Sequence, residues 1–524
     1  MRRLQPGWYD HRALEASVLR KWREERIYQQ VKHANERGEV YYFLDGPPFT
    51  TGGIHLGTAY NKVLKDVHLR HLRMQGYNVW DRAGFDVHGL PVEVAVERLL
   101  NLSGAEQIEA YGVDKFVQSC RTNVKDSINK MIREFAELGV WLDFENPYIP
   151  ATREYVQSAW WTVKRAIDSG SLTRQRRILT WCPRCETAVG GAEVQRRMST
   201  LSSAYVKIPL RDKKNEFIVV WTNQLWTLPM AVAVAVNPDA KYVKAVVKTP
   251  DGVEKLIMLE STIARMLFKA GFTKYEREAT LTGRELVGEH IVHPLLAEVP
   301  QQRGLEGEWV HRIIASDYVK EIRTGAIYIA PGVCAPDWDI AIEFKLPILS
   351  PIDREGRFLA DFSPKYGGFR TSEASPMVVR DVQSAGLMLF EAQEKHPVKA
   401  CWRCDAPLIH RFDEEWFLNI SAVKPHMLAE IKAINWMPEH LGSTQIREWI
   451  EKATEWCVSR RRFWGTPIPY WRCIAEGCGG HLVLDRVDDL RRAKGYRDGV
   501  DVHLPDIDRL TFPCPKCGAD MYRT

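Results

Sequence analysis

V-Y-Y-F-L-D-G-P-P-F-T-T-G-G-I-H-L-G-T-A-Y-N-K-V-L-K-D, residues 40–66, carries a strand signal, a loop and a helix signal in that order. Val40–Leu44 is a short apolar run that reads as a buried strand. Asp45-Gly46-Pro47-Pro48 breaks it, and Thr51-Gly52-Gly53 keeps the backbone loose. From Thr58 a helix is expected to about Met74, with Val63, Leu64, Val67 and Leu72 at its apolar positions. Strand, glycine-rich loop and helix open a nucleotide-binding α/β domain. Gly53-Ile54-His55-Leu56-Gly57-Thr58 sits at the helix mouth, where glycines admit backbone N–H groups to a phosphate and the helix N-terminus favours negative charge. His55 can donate to a phosphate oxygen as charge develops. A lone His-x-Gly is more often a surface histidine. The longer phrase G-P-P-x-x-x-G-x-I-H-L-G-T-A-x-N-K-x-x-K-D gives this one its weight.

Outward from this stretch, Gln75-Gly76-Tyr77 ends the helix, Asn78–Arg82 fits the next strand and Gly84–Pro91 is a loop at a strand end. Residues 10–30, 114–138 and 152–169 read as helices. Beyond residue 200 the texture changes. Ala204–Ile208, Phe217–Trp221, Val232–Val236, Tyr242–Val247, Leu256–Leu259 and Ala326–Ala330 are short, β-branched and separated by turn residues, the pattern of a β-rich domain over roughly 200–390. Helical texture returns at 421–434 and 443–457, and the last fifty or so residues are turn-rich.

Two Cys-x-x-Cys pairs, Cys182/Cys185 and Cys401/Cys404, stand far apart in similar phrases, W-C-P-R-C and C-W-R-C. Four thiolates in two knuckles suit one closed tetrahedral zinc site, which would make the intervening segment an insertion in a knuckle loop. The plainer alternative is two unrelated turns with reduced thiols. Cys473 and Cys478 with Cys514 and Cys517 form a second candidate set. Gly477, Gly479 and P-C-P-K-C-G supply its turns. Cys120 and Cys457 fall in helical patterns and read as packed thiols. Eight of eleven cysteines in metal-like pairs argue for a reducing, cytoplasmic compartment over a disulfide framework.

A chain of 524 residues with 45% apolar content should split into about three or four domains. The net charge of +5 excludes a global polycation. Basic clusters at Arg174–Arg177 and Arg460–Arg462 can meet phosphates, although a solvated face is the ordinary meaning of such runs. Met1-Arg2-Arg3 runs into a charged helix, so no signal peptide is expected. The longest apolar run, Met230–Val236, is too short to span a bilayer, so no membrane partner is expected.

The phrases Gly46–Asp66, Gly84–Glu93 (G-F-D-V-H-G-L-P-V-E), Trp181–Val194, Trp221–Pro229, Cys401–Ile420 and Trp456–Pro469 (W-C-V-S-R-R-R-F-W-G-T-P-I-P) together resemble the class I aminoacyl-tRNA synthetases. The resemblance covers nearly the whole chain and is strongest to isoleucine–tRNA ligases of the archaeal type. D-x-H-G-L-P-x-E at 86–93 favours isoleucine over the sister ligases for valine and leucine. It implies an α/β fold: a Rossmann-type catalytic domain with a β-rich inserted editing-type domain and two zinc knuckles. The implied segments are 1–180 (first half of the catalytic domain), 181–199 with 400–420 (zinc knuckle and stem), 200–390 (editing-type insertion), 421–470 (return to the catalytic domain) and 471–524 (second zinc-binding module).

It further implies that ATP with Mg2+ and isoleucine react across the 46–58 loop and that isoleucine tRNA is the acceptor. His55, Gly57 and Thr58 would serve catalysis, and Gly46, Pro47, Pro48, Asp86 and His88 would line the ATP and amino-acid site. Asp86 would hold the amino group of the amino acid. Thr222 and Asp337 would belong to the editing site. Cys182, Cys185, Cys401 and Cys404 would hold one zinc, and Cys473, Cys478, Cys514 and Cys517 the other.

The chain departs from the family pattern in three places. Thr58 replaces the second histidine of H-x-G-H, and its hydroxyl can still donate to phosphate. In the insertion, Tyr328 and Val333 replace both histidines of the G-x-x-H-x-A-P-G-H-G-x-x-D segment, and the threonine strand is reduced to Thr222-Asn223-Gln224, so the expectation is a retained fold with weak hydrolysis. No KMSKS-like loop and no helical anticodon-binding domain follow. The expectation is the first half of a longer enzyme, with a separate chain supplying the C-terminal half as one arrangement and an incomplete sequence as the other. Other readings are a related valine or leucine ligase, a non-catalytic tRNA-binding or editing module, and a zinc-stabilised scaffold. His55, Asp86 and the loop glycines oppose the last two.

Overall fold

The computed structural model describes residues 10–524 except 250, 251 and 454, so the Met1–Arg3 start lies outside the described residues. Two compact units are present: Met1–Leu172 with Arg462–Thr524, and Thr173–Arg461. No helix among the described residues is long and apolar enough to cross a membrane.

In the first unit, the strand Val40–Tyr42 pairs in parallel with Asn78–Trp80, Val40 opposite Asn78. The helix Leu56–Met74 makes the crossover. Only the Tyr41/Phe43 side of the strand packs on the core. Val40, Tyr42 and Leu44 are 66%, 62% and 69% exposed, so the expected buried strand is buried on one face only. The reason is coverage: a parallel strand is buried on both faces only where both faces are packed. The helix shows the same asymmetry. Leu69 and Leu72 are buried, while Val63, Leu64 and Val67 are exposed. Arg82–Gly84 pairs in parallel with Asp143–Tyr148, and the helices Leu90–Leu100 and Val113–Glu137 close the core around Phe85, Val87, Phe116 and Phe135. The expected helix over 10–30 is two helices, His11–Glu24 and Ile27–Ala34, broken at Arg26 with φ 51°.

The chain rejoins this unit at Arg462. Trp464, fully buried, donates its indole N–H to the Val87 carbonyl at 2.5 Å. Glu93, also fully buried, accepts the backbone N–H groups of Phe463 (3.0 Å) and Trp464 (2.6 Å) and pairs with Arg462. Beyond it, four short strands in the order His481–Val483, Tyr470–Cys473, Asp520–Arg523, Phe512–Pro513 pack Trp471 against Trp160 and Val156.

The second unit is β-rich. Its largest sheet runs Glu276–Thr282, Lys241–Thr249, Gly252–Leu259, Glu216–Thr222, Val194–Pro209, Met388–Cys401. A three-stranded sheet, Ile313–Ala315, Ala233–Val236, Ala326–Ile329, packs with it around Val234, Val236 and Leu228. Cys120 lies in a helix as expected. Cys457 does not: it ends a strand, Glu455–Cys457, that pairs with Phe417–Asn419. The helix expected over 443–457 is confined to a π turn, Leu441–Ile446, and Arg447–Lys452.

Glu93→Ala is expected to lower the stability of the first unit by about 3–5 kcal/mol, because Arg462 then loses its closest buried carboxylate. Glu448→Ala, which removes an exposed ion pair with Lys452, should cost under about 1 kcal/mol. Scanning calorimetry compares the two, and equal thermal midpoints would contradict the assignment.

Candidate functional site

The 46–58 loop is fixed at its root, middle and end. At the root, Asp45 is buried. It pairs with buried Lys62 and with Lys65 (2.8 Å), and accepts the Gly84 N–H at 3.1 Å. Burial pulls the Lys62 ammonium below its ordinary range, against the pull of Asp45. In the middle, Asp86 N–H donates to the Pro48 carbonyl (2.8 Å), and Thr50 returns its N–H (2.9 Å) and hydroxyl (3.0 Å) to the Asp86 carbonyl. At the end, Ile54 N–H donates to Glu134 at 2.6 Å. A Cβ on Gly53 would stand 2.6 Å from that carboxylate, so a larger residue there would have to push the Glu134 side chain aside.

His55 caps the Leu56–Met74 helix. Its Nδ1 accepts the Thr58 N–H at 3.2 Å, which leaves the proton on Nε2, 3.2 Å from the Thr58 hydroxyl. Thr58, in the place of a histidine, is therefore a partner of His55. A Cβ on Gly57 would meet the His55 ring at 3.1 Å, so this glycine gives the imidazole room to lie over the helix end. His55, Gly46 and Pro47 are exposed to solvent and Pro48 is half-buried.

Asp86 is half-buried. Burial raises its carboxyl, opposed by the hydrogen bond it accepts from the His88 backbone N–H. The His88 ring stands edge-on to Trp464, 5.1 Å between centroids, and burial drives its pKa down to about 3, helped by His503 and Arg121. The structure thus brings Pro48, Asp86 and His88 together beside the loop.

In the second unit, Thr222 touches Tyr328, whose phenol also feels the charge of Asp337. The Tyr328 hydroxyl is 3.0 Å from the Thr222 hydroxyl and 2.6 Å from that of Thr227, and all three residues are buried. Both threonine hydroxyls are therefore engaged by the residue that replaces a histidine. Val333 is 3% exposed and belongs to the hydrophobic core. Asp337 accepts the Ala330 N–H at 2.8 Å, and burial raises its carboxyl to about 6.

Each cysteine set is assembled. The four sulfurs of Cys182, Cys185, Cys401 and Cys404 lie within 4.8 Å of one another, as do those of Cys473, Cys478, Cys514 and Cys517. In the first set, Cys185 N–H donates to the Cys182 sulfur at 3.4 Å. In the second, Ala475 N–H donates to Cys473 at 3.4 Å. Such N–H···S bonds favour thiolates. Hydrogen bonds from Cys182 and Cys185 also hold the Cys404 thiol down at about 7. Donor type and spacing fit a tetrahedral zinc.

Sequence reasoning gave no role to Asp45, Glu134, Glu93 or His503. Asp45 and Glu93 flank quoted motifs, D-G-P-P and G-L-P-V-E, and could have been found there. Glu134 lies inside a long amphipathic helix and carries no local signal.

Residues 17–494 match the family model described as tRNA synthetases class I (I, L, M and V). The isoleucine–tRNA ligase of Methanothrix thermoacetophila is 40% identical over 519 residues, covering 99% of this chain and 49% of the relative. The isoleucine–tRNA ligases of Archaeoglobus fulgidus and Methanocaldococcus jannaschii are 39% and 38% identical, over 99% and 100% of this chain and 50% and 51% of theirs. The chain spans about half the length of these relatives. Among solved structures, the ternary complex of Agrobacterium radiobacter K84 agnB2 LeuRS with tRNA and LeuAMS matches at a TM-score of 0.39 and 17% identity, covering 98% of this chain and 57% of that one. With the family model matched over residues 17–494, the chain belongs to the class I tRNA synthetases.

Proposed function

We propose that this chain is the adenylate-forming portion of an isoleucine–tRNA ligase, acting in the cytoplasm. The observation that carries the reading is the hydrogen-bonded pairing of Asp86 with Pro48 and Thr50, which sets an acidic amino-acid contact beside a helix-capped phosphate loop. The isoleucine carboxylate attacks the α-phosphorus of ATP. The new bond is an acyl–phosphate anhydride, and pyrophosphate leaves. The ribose hydroxyl of isoleucine tRNA then takes the acyl group and releases AMP. Mg2+ arrives with ATP and offsets phosphate charge. Asp86 receives the substrate ammonium as a charge-assisted bond. His55 and the N–H groups at the helix start stabilise charge on the phosphates. Gly57 and Gly53 keep the backbone low enough for the nucleotide to approach. The half-length match to isoleucine ligases supports isoleucine over valine or leucine.

A second segment completing the sheet, in the same polypeptide or as a separate chain, is part of the proposal. The exposed apolar face of Val40, Tyr42 and Leu44 supports it, since a parallel strand pair needs cover on both sides. Each cysteine set holds one structural zinc, which when bound fixes its two knuckles. The insertion keeps an editing-type fold with little hydrolysis, because Tyr328 occupies the threonine hydroxyls and Val333 cannot orient water.

Elemental analysis of protein purified without chelator should find two zinc ions per chain, and fewer than about one would contradict both sites. This chain alone should give little isoleucine-dependent ATP–pyrophosphate exchange. Exchange should appear on mixing with the C-terminal half of the Archaeoglobus fulgidus ligase, and His55→Ala should then lower it about 10²–10³-fold. Robust exchange by the single chain refutes the need for a second segment. Deacylation of valine-charged isoleucine tRNA by the full chain should stay near the spontaneous rate. A faster rate that is lost in Asp337→Ala would overturn that view. In that case the rate should fall as pH drops through about 6, because protonated Asp337 no longer attracts the ammonium group.

A further inference from the structure

A cavity of about 400 Å³ in the second unit is walled by Arg211, His290, Gln302, Arg303, His311 and Arg312, with apolar residues between them. It shares no lining residue with the Thr222–Tyr328 group. Strand register places its cations. Leu210 bridges Ile291 and His290 bridges Arg312, both antiparallel, and the Arg211 N–H donates to the His290 carbonyl at 2.8 Å. Arg211, His290 and Arg312 therefore stand abreast across three adjacent segments. They share one face, because residues directly opposite on antiparallel neighbours point the same way. Arg303 comes from the short 3-10 turn Pro300–Gly304.

The wall behind these cations is fixed. Gln302, 1% exposed, donates its amide N–H to the Pro229 carbonyl at 2.8 Å, and its amide oxygen lies 2.9 Å from His311 Nε2. His311 is buried and holds a left-handed backbone, φ 52°, which a side chain adopts only at a cost. The Arg211 charge reaches this wall: after burial, it is what pushes the His311 imidazole below its ordinary range. Two carboxylates stand near. Asp212, 75% exposed, lies 3.9 Å from His290 Nδ1, and Glu289 is held by Lys213 at 2.6 Å. Among the described residues Arg211, Arg303 and Arg312 form no ion pair, whereas Arg197, Arg277 and Arg284, also exposed, each hold a carboxylate. Like charges gathered on one face of a sheet are unfavourable on their own, and a bound anion reverses the sign of that interaction.

We propose that this cavity binds a phosphate-bearing anion, with Arg211, Arg303 and Arg312 as its guanidinium ligands and His290 between the first and the last. A guanidinium fork matches two phosphate oxygens at once, which a carboxylate-free rim leaves available. The backbones of Arg211 and Arg312 are two strand spacings, about 10 Å, apart. Their forks can close from either side on a ligand with two phosphate groups. The recognised chemistry is the phosphate group, either free, as in pyrophosphate, or carried along an RNA strand. The site stands apart from the 46–58 loop and needs none of its residues.

The test is arginine labelling of the full chain. Phenylglyoxal modifies accessible guanidiniums, and peptide mass spectrometry reads each arginine separately. Sodium pyrophosphate should slow the labelling of Arg211, Arg303 and Arg312 together, several-fold beyond sodium chloride at the same ionic strength. Arg284, exposed and held by Asp239, should keep its rate. The 46–58 loop contains no arginine, so pyrophosphate bound there leaves the reading unchanged. Arg312→Ala should raise the pyrophosphate concentration that half-protects Arg211 about 10-fold, the worth of one charge-assisted contact. An RNA hairpin ending in CCA is the second probe. Protection by the hairpin at the lower concentration assigns the phosphate to RNA, and protection by pyrophosphate at the lower concentration assigns it to a free ligand. The proposal is overturned if neither probe slows the three arginines beyond chloride. It is equally overturned if Arg211 is half-protected at the same concentration in Arg312→Ala as in the unsubstituted chain.

Discussion

The first unit depends on a buried charge junction where the chain re-enters it. Glu93 takes two backbone N–H groups from Phe463 and Trp464 and the Arg462 guanidinium, while Glu97 accepts a second contact from Arg462 at 3.1 Å. A carboxylate and a guanidinium taken out of water are tolerable only when each is fully met by the other side. The junction therefore selects the register in which Trp464 reaches Val87 and Gly89 N–H reaches the Trp464 carbonyl at 2.9 Å. Asp86, His88 and the Pro48–Thr50 turn all hang from that register, so site geometry and long-range chain closure are one problem.

The loop itself is a lattice of small requirements. Asp45 ties it to the helix through Lys62 and Lys65, and Glu134 holds its far end through Ile54. A Cβ at 53 would crowd the Glu134 carboxylate, and one at 57 would press on the His55 ring at 3.1 Å. Between those anchors much of the loop stays exposed, with Thr50 buried. Most of the fixing is done by charged side chains beneath the loop.

Much of this was legible in the sequence. The strand–loop–helix order of 40–74 was readable because Gly and Pro punctuate it, and the cysteine sets because ligand spacing is a local property. Burial was not legible. Val40, Tyr42, Leu44, Val63 and Val67 have core composition, yet they face outward, and composition cannot say whether a covering segment is present. The helix over 10–30 concealed its break at Arg26, where nothing but a positive φ marks the stop. His503 carried no motif. Its contact with His88 spans 415 positions, which no spacing rule reaches. Tyr328 was readable as a lost histidine, but its capture of Thr222 and Thr227 required coordinates.

In the proposed function, isoleucine is the amino acid read beside Asp86. The most direct measurement is competitive calorimetry of the isoleucyl, valyl and leucyl sulfamoyl adenosines on the zinc-loaded chain. Tightest binding is expected for the isoleucyl compound, with valyl weaker by about 10–200-fold, the worth of one methylene for which isoleucine ligases are the standard case, and the preference for all three over ATP alone should be lost in Asp86→Ala. Equal affinity for the three compounds, or tightest binding of the leucyl or valyl one, would contradict it.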